Sequence, residues 1–186
     1  MNCVPGEDMP SGYIYSAGIH PWNAAEGDLR QLEQMLRHPD VKAVGEAGID
    51  LLKGPPADVQ IDVFRRQVAL SEQSGKPVVV HCVKALQGLM ALRSELKPVQ
   101  PWIYHGFRGK PQMARQLVNA GMFVSFGSKF NEESVREIPS DRLLIETDDS
   151  EFQIEAVAAL VASALKKSVG EVIRLCSSNL SRILDL

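Results

Sequence analysis

The sequence predicts an α/β fold with a parallel sheet, and three observations support this expectation. Apolar runs alternate with amphipathic, helix-like segments along most of the 186 residues. The apolar runs are short, as in the strands of parallel sheets that helices cover on both faces. Four of these runs end in a metal-binding residue, as expected where parallel strands bring ligands to one rim of a barrel. These residues are Glu46, His81, His105 and Asp148.

The composition is typical of one ordinary globular domain over residues 1–186. Hydrophobic residues make up 45% of the chain and charged residues 23%, which is enough to build a core. The net charge of −3 provides no global attraction to nucleic acid or to anionic membranes, so phosphate binding requires a local cluster. Three scattered cysteines predict no disulfide framework, and the expected compartment is the cytoplasm. Neither a secretory leader nor a membrane-spanning segment is expected.

Six strands are predicted from the apolar runs. The first twelve residues are rich in proline, glycine and acids, and they are interpreted as a loop. Six strands are too few for a closed eight-stranded barrel, so a doubly wound open sheet is the alternative by strand count. No glycine-rich phosphate-binding turn follows a strand, which argues against that alternative. The strands are expected at residues 13–17, 41–45, 78–81, 102–105, 122–126 and 143–146.

Helices are predicted between the strands from apolar periodicity and capping residues. Asp28 with Gln31 is typical of a capping box at the start of the first helix, which the proline at position 39 ends. The second helix carries its apolar face at positions 61–68 and is expected to end at Gly75. Both helices lie between consecutive strands, as a parallel sheet requires.

The remaining helices follow the same pattern. Leucines recur on one face over residues 86–96, and Pro111 and Gly121 are placed to begin and end the next helix. The tail after Asp148 is predicted to be helical, with a second capping-box pattern at Ser168 and Glu171. The predicted order is therefore strand and helix in alternation, followed by C-terminal helices.

Six sequence blocks carry a resemblance to a known family. They occur in the family's order and at its usual intervals, and they cover nearly the whole chain. The blocks are SAGIHPW (16–22), AVGEAGID (43–50), KPVVVHC (76–82), IYHGFRG (103–109), GMFVSFG (121–127) and DRLLIETDD (141–149). The sequence thereby resembles the TatD-like metal-dependent hydrolases of the amidohydrolase superfamily.

The resemblance implies a distorted, N-terminally shortened TIM barrel that binds one or two divalent ions, Mg, Mn or Zn, at the C-terminal ends of its strands. Glu46 matches a carboxylate that bridges two metals, and His81 and His105 match ligands of the second metal. Asp148 matches an acid that binds the first metal and helps to activate water. The implied activity is phosphodiester hydrolysis, most often as a deoxyribonuclease acting from a DNA end, with Asp148 and Glu46 as catalytic residues.

The sequence also departs from the family pattern. The family's first strand carries a His-x-His pair that this sequence does not contain, and the sequence as given begins near the family's second strand, at residues 2–4. We therefore expect weaker binding of the first metal and reduced or absent turnover in the chain as given. A shortened barrel also exposes strand edges, which predicts a homodimer.

Basic residues beyond the strand ends form the predicted phosphate-binding cluster. Arg108, Lys110 and Lys129 lie in such loops, and Lys53 follows the second strand. The alternative is that these residues are ordinary solvated surface groups, which the acidic net charge favours. His20, in the block GIHP, is interpreted either as a residue that binds the substrate or supports a metal ligand, or as a residue that stabilises its own loop by a hydrogen bond.

Structural roles are the alternatives for the metal-binding candidates. His81 and His105 can be buried structural histidines, and Glu46 can cap a loop. Asp148 can cap the following helix, although Asp149 suits that role better.

Three other residues are interpreted as structural. Trp22 and Trp102 are expected to pack in the core or at the rim rather than to stack on nucleobases. Gln67 is expected on the surface of its helix.

Two classes of function compete. A TatD-type hydrolase that acts on DNA or another phosphodiester is the leading hypothesis, and a non-catalytic relative that serves as a binding or partner protein is the alternative. An amidohydrolase acting on C–N bonds is disfavoured because Glu46 occupies the place where that group often carries a carboxylated lysine. An iron oxygenase built on Glu46, His81 and His105 is disfavoured by the barrel-like strand pattern.

Overall fold

The computed structural model describes residues 2–3, 10 and 12–186, and the chain divides into two compact units. The first unit is Met1–Trp102 and the second is Ile103–Leu186. Each unit contains parallel strands and helices, as an α/β fold requires. The single domain expected over residues 1–186 stays a prediction.

The described part of the first unit consists of parallel strands that pair in sequence order, with helices between them. This order places the C-terminal ends of neighbouring strands side by side. The strands are β1 (Asn2–Cys3), β2 (Tyr15–Ala17), β3 (Val41–Asp50) and β4 (Val78–Val83), and the helices are α1 (Leu29–Met35), α2 (Ala57–Ser74) and α3 (Leu86–Leu96).

The first twelve residues contain the short strand β1, which corrects the expectation that they form a loop throughout. Asn2–Cys3 pairs in parallel with Ser16–Ala17. Two residues are too few to carry the apolar pattern by which the other strands were predicted. Residues 1, 4–9 and 11 lie outside the described part of the chain, so the rest of the expected loop stays a prediction.

Strand β3 continues past its predicted end at Gly45, because two glycines let it approach β4 closely. A Cβ on Gly48 would collide with the carbonyl oxygen of His81. Gly45 has a φ of +145°, and a Cβ there would lie 2.6 Å from the carbonyl oxygen of Val79. Both positions therefore require glycine. Glu46 stands between them and is carried close to β4.

The start of α1 and the end of α2 lie where the sequence pattern predicted them, and of the predicted capping box at Asp28 and Gln31 the structure shows the Asp28 half. Asp28 caps α1 by accepting hydrogen bonds from the backbone N–H groups of Arg30 and Gln31 at 2.8 and 3.2 Å. Gly75 ends α2 in the left-handed conformation, with a φ of +68°. Asp28 therefore fixes the start of α1, and Gly75 fixes the end of α2.

Gln67 of α2 is buried, which corrects the expectation that it lies on the helix surface. Its side chain is 1% exposed and lies on the same face as Phe64 and Val68. Its Nε2 donates to the carbonyl oxygen of Ile19 at 2.9 Å, and its Oε1 accepts from the Ile19 N–H at 2.7 Å. A glutamine is usually predicted to be exposed. It can be buried where a distant backbone segment lacks hydrogen-bond partners, but the sequence does not show which segments will be neighbours.

Gln67→Leu is expected to lower the free energy of unfolding by about 2–4 kcal/mol, because the buried N–H and C=O of Ile19 lose their partners. Urea denaturation measures the effect. Gln87→Leu is the matched control, since Gln87 is exposed on α3 and its replacement should change stability by less than about 0.5 kcal/mol. Equal losses for the two variants would contradict this account of Gln67.

The second unit repeats the strand and helix alternation and ends in two helices. Val124 of its central strand pairs in parallel with Tyr104 on one side and with Leu143 on the other. The strands are β5 (Trp102–Tyr104, which begins at the last residue of the first unit), β6 (Phe123–Phe126) and β7 (Leu143–Ile145), and the helices are α4 (Pro111–Asn119), α5 (Glu132–Arg136), α6 (Ile154–Leu165) and α7 (Val169–Leu184).

Most predicted helix ends in the second unit are confirmed, and one is wrong. Pro111 is the first residue of α4, and Ser168 with Glu171 forms the predicted capping box of α7. Neither Asp148 nor Asp149 caps α6, because that helix begins later and its cap position is Gln153. The intervening residues continue the loop after β7, which keeps Asp148 out of the helix.

Three further features bear on predictions made from the sequence. The cysteines Cys82 and Cys176 are thiols, and burial raises the pKa of Cys176 to about 11. Trp102 is fully buried and packs its ring against Phe64, as predicted. Among the described helices, none has the length and apolar character needed to cross a bilayer.

Candidate metal centre

Three side chains of the first unit bring metal-binding atoms close together. The Nε2 of His20 lies 3.3 Å from the Nδ1 of His81 and 3.7 Å from the Oε2 of Glu46. The Nδ1 of His81 lies 3.6 Å from the same Glu46 oxygen. A point equidistant from the three atoms lies about 2 Å from each, close to the bond lengths of Zn²⁺ to nitrogen and oxygen. The group therefore has the dimensions of a divalent-metal site.

The backbone explains why these three side chains meet. Glu46 and His81 lie on neighbouring strands, in the stretch where the register pairs Gly48 with His81. His20 follows β2, and the two hydrogen bonds from Gln67 to the preceding residue, Ile19, hold its loop. The side chains of the three candidate ligands are only 13–19% exposed, so water screens their charges weakly. The pairing of β3 with β4 thus places Glu46 and His81, and the hydrogen bonds of Gln67 on α2 place His20.

Asp50, at the end of β3, is a site residue to which the sequence analysis assigned no role. Its side chain is 3% exposed. Its Oδ2 accepts a 2.7 Å hydrogen bond from the indole N–H of Trp22 and lies 3.3 Å from the Nε2 of His81. Its Oδ1 accepts from the backbone N–H of Leu52 at 2.8 Å. The sequence feature that could have indicated a role for Asp50 is its position at the end of the block AVGEAGID, four residues after Glu46.

The electrostatics keep Asp50 ionised. Burial raises the pKa of its carboxyl, but the hydrogen bonds from Trp22 and Leu52 and the contact with His81 outweigh burial, so the pKa lies below its ordinary value. At neutral pH the group is therefore a carboxylate, which accepts hydrogen bonds and donates none.

Trp22 lies at the rim of this group rather than in the core. Its side chain is 45% exposed, and its ring contacts the ring of His20 edge-on at a centroid distance of 4.6 Å. The ammonium of Lys53 lies 4.2 Å from the centre of the Trp22 ring, a cation–π contact. Of the two predicted locations, the rim is the observed one, and it brings Lys53 close to the candidate ligands.

The second unit holds the other two predicted ligands. His105, directly after β5, and Asp148, after β7, offer ligand atoms within 4.8 Å of each other. Asp148 has a φ of +49°, a left-handed conformation that Asp tolerates better than most residues. The Oε1 of Glu146 lies 3.4 Å from the Nδ1 of His105. Glu146 was missed by the sequence analysis, although it stands two residues before Asp148.

A polar cavity of about 300 Å³ lies beside these residues in the second unit. Two of the predicted phosphate-binding residues, Arg108 and Lys129, line it together with Asp148. Lys110 is not one of the described residues that line the cavity. It occupies the cap position of α4. The other lining residues are Gly106, Gly127, Ser128, Glu146, Thr147, Asp149 and Ser150.

Curated relatives align with most of this chain. An uncharacterized metal-dependent hydrolase, YabD of Bacillus subtilis, is 36% identical over 149 residues, which are 73% of this chain and 58% of that protein. The 3'-5' ssDNA/RNA exonuclease TatD of Edwardsiella piscicida is 33% identical over 148 residues, which are 72% of this chain and 56% of that protein. The chain thus spans a little over half the length of these relatives.

A solved structure and a family model complete the comparison. The crystal structure of YJJV, a TatD homolog from Escherichia coli K12, matches 93% of this chain and 77% of its own, with a TM-score of 0.83 and 23% identity. This likeness confirms the predicted α/β fold of the TIM-barrel-like class. The model of the family described as TatD related DNase matches residues 6–185. The chain therefore belongs to the TatD-related DNase family.

Proposed function

We propose that the chain uses a divalent metal ion to hydrolyse phosphodiester bonds of a nucleic acid, with DNA as the leading candidate substrate. The observation that carries the proposal is the group of His20, Glu46 and His81, whose three donor atoms lie 3.3–3.7 Å apart. Membership of the family of TatD-related DNases supports the reaction class. The name of one relative, a ssDNA/RNA exonuclease, supports the substrate class.

The donor set narrows the choice of metal. Two imidazoles and one carboxylate suit Zn²⁺ or Mn²⁺ better than Mg²⁺, which prefers oxygen ligands and water. We assign Glu46 and His81 as ligands, and His20 as the third donor of that group rather than as a substrate contact. His105 and Asp148 are proposed as metal ligands in the second unit, so that one or two ions bind per chain.

Two acidic residues are assigned to the chemistry. When bound, the ion supplies a water molecule that is acidic enough to lose a proton near neutral pH. Asp148 is exposed at the cavity, where its carboxylate can accept that proton and orient the water toward the substrate. Glu46 is half-buried, and its carboxylate would place a negative charge next to a bound metal ion.

Arg108 and Lys129 are proposed to bind the phosphate that is cleaved. Both line the cavity that also contains Asp148, so a phosphate there would meet two cations and the proposed base. The guanidinium of Arg108 can donate two parallel hydrogen bonds to phosphate oxygens. Lys110 lies outside the cavity lining, at the start of α4, and is assigned a contact with a more distant part of the substrate. Three carboxylates, those of Glu146, Asp148 and Asp149, line the same cavity, so a bound metal ion would have to supply further positive charge for the phosphate.

Arg108→Ala is expected to raise KM for a short single-stranded DNA by about 10- to 100-fold, because a charge-assisted hydrogen bond to phosphate is lost. The metal-stripped chain, reloaded with Mn²⁺ or Zn²⁺, is assayed with an end-labelled oligonucleotide. Arg174→Ala, on the exposed surface of α7, is the matched control and should leave KM unchanged.

The same assay tests the proposal as a whole. Slow cleavage that disappears with EDTA and returns with the added ion is the expected result for the unmodified chain, since reduced turnover is expected without the His-x-His pair. Tight metal binding without any cleavage of DNA or RNA would instead favour a non-catalytic relative.

A further inference from the structure

The two ring nitrogens of His81 face different groups. Its Nδ1 faces the candidate metal position, 3.6 Å from the Oε2 of Glu46 and 3.3 Å from the Nε2 of His20. Its Nε2 points the other way and lies 3.3 Å from the Oδ2 of Asp50. A neutral imidazole carries one proton, so only the nitrogen without it can bind a metal. The binding competence of His81 therefore depends on which nitrogen is protonated.

We propose that Asp50 is a positioning residue that keeps the His81 proton on Nε2 and so presents the Nδ1 lone pair to the metal. The inference rests on the proposed function, because it assigns a role toward the same metal. Asp50 itself would not touch the ion or the substrate. Its effect would pass entirely through the orientation and protonation pattern of His81.

The hydrogen bonds of Asp50 leave one role for the His81 nitrogen. The Oδ2 of Asp50 already accepts from the indole N–H of Trp22, and its Oδ1 accepts from the backbone N–H groups of Leu52 and Lys53 at 2.8 and 3.2 Å. Indole and backbone N–H groups are donors only, and three of them directed at one carboxyl group stabilise its ionised, accepting form. The remaining neighbour, the Nε2 of His81, is then a donor.

The opposite side of His81 leads independently to the same protonation pattern. The Nδ1 of His20 accepts from the backbone N–H of Trp22 at 3.3 Å. A neutral His20 that accepts there carries its proton on Nε2, and that nitrogen faces the Nδ1 of His81. The Nδ1 of His81 is therefore an acceptor, and its proton belongs on Nε2. His81 thus already presents a lone pair on Nδ1, whereas binding of a metal through the Nε2 of His20 would require its proton to move to Nδ1, with loss of the hydrogen bond from Trp22.

Asp50 is held firmly enough to do this. Its backbone N–H donates to the Oε1 of Gln60 at 2.7 Å, and the Nε2 of Gln60 donates back to the carbonyl oxygen of Asp50 at 3.0 Å. The same amide also donates to the carbonyl oxygen of Pro55 at 2.8 Å. Both side chains are buried, at 3% and 2% exposure, so the carboxylate cannot rotate away into water. This rigidity is what a positioning residue requires.

The experiment reads which ring nitrogen of His81 carries the proton, in the metal-free chain at about pH 8. Two-bond ¹H–¹⁵N NMR correlations distinguish the Nε2–H form from the Nδ1–H form, and the His81 signals are identified by their loss in His81→Gln. The unmodified chain should contain the Nε2–H form. Finding the Nδ1–H form there would overturn the proposal without the need for any variant.

Asp50→Asn supplies the second measurement. With the amide oxygen accepting from Leu52 and Lys53, its NH₂ group faces the Nε2 of His81 as a donor, and the hydrogen bond from the indole N–H of Trp22 is lost. We expect His81 to change to the Nδ1–H form and the affinity for Zn²⁺ to fall by about 10- to 100-fold. Asp40→Asn is the matched control, because Asp40 also lies beside a histidine, His38, on the exposed surface.

The outcomes separate this proposal from the proposed function. An unchanged His81 pattern and unchanged Zn²⁺ affinity in Asp50→Asn would overturn the role of Asp50 and leave the metal site standing. A second outcome is that the unmodified chain binds no divalent ion, while His81 has the Nε2–H form there and loses it in Asp50→Asn. This result would contradict the proposed function and still support the role of Asp50 in positioning the His81 proton. Asp40→Asn should alter neither measurement.

Discussion

Gly48→Ala is expected to cost about 3 kcal/mol or more of the free energy of unfolding, one of the largest effects of a single methyl group in this chain. The added Cβ would collide with the carbonyl oxygen of His81. That atom belongs to the backbone of β4, so no side chain can rotate to make room. Relief requires the separation of β3 from β4. Urea denaturation followed by circular dichroism measures the loss.

Gly88→Ala is the matched control for this substitution. Gly88 lies in α3, and a Cβ there would meet no atom within 4 Å. Alanine favours the helix, so this variant should gain about 0.5–1 kcal/mol. Opposite signs for the two glycines would support the close approach of β3 and β4, whereas equal effects would contradict it.

Glu46→Gln is expected to weaken binding of Zn²⁺ or Mn²⁺ by about 100-fold or more, a larger loss than replacement of an outer-shell partner causes. The substitution preserves the shape of the side chain and removes its charge. It therefore leaves His20 and His81 in place while replacing the anionic ligand by a neutral amide. Competition with a chromophoric chelator measures the affinity, and circular dichroism checks that the fold is kept.

The control for Glu46→Gln is Glu33→Gln. Glu33 forms an exposed i,i+4 pair with Arg37 on α1, and such a pair contributes little to stability. Its loss should leave the metal affinity unchanged. An affinity in Glu46→Gln equal to that of the unmodified chain would remove Glu46 from the set of ligands.

The sequence was sufficient to predict the strands and helices that carry strong local patterns. β4 and β7 are apolar runs of ordinary length, and α7 has a complete capping box, so each was recognisable from neighbouring residues alone. The apolar pattern missed β1 because two residues carry no pattern, although the family resemblance placed a strand near residues 2–4. The start of α6 was misplaced because two acids in succession suggested a cap, while the chain continues as a loop to Gln153.

The candidate site was predictable where strand order alone brings residues together. Glu46 and His81 lie on paired strands, so the parallel sheet predicts that they are neighbours. The role of Asp50 was not predictable, because it depends on hydrogen bonds with Trp22 and His81, which are 28 and 31 residues away. Gln67 escaped for the same reason, since its partner is a backbone 48 residues away.

Zinc-edge X-ray absorption tests most directly the claim that His20, Glu46 and His81 form a metal centre. The measurement is best made on His105→Gln loaded with one equivalent of Zn²⁺, so that His105 cannot supply an imidazole. We predict nitrogen and oxygen neighbours at about 2 Å and the scattering pattern of two imidazoles, reduced to one in the additional variant His81→Gln. A shell of oxygen atoms without imidazole scattering would contradict the account.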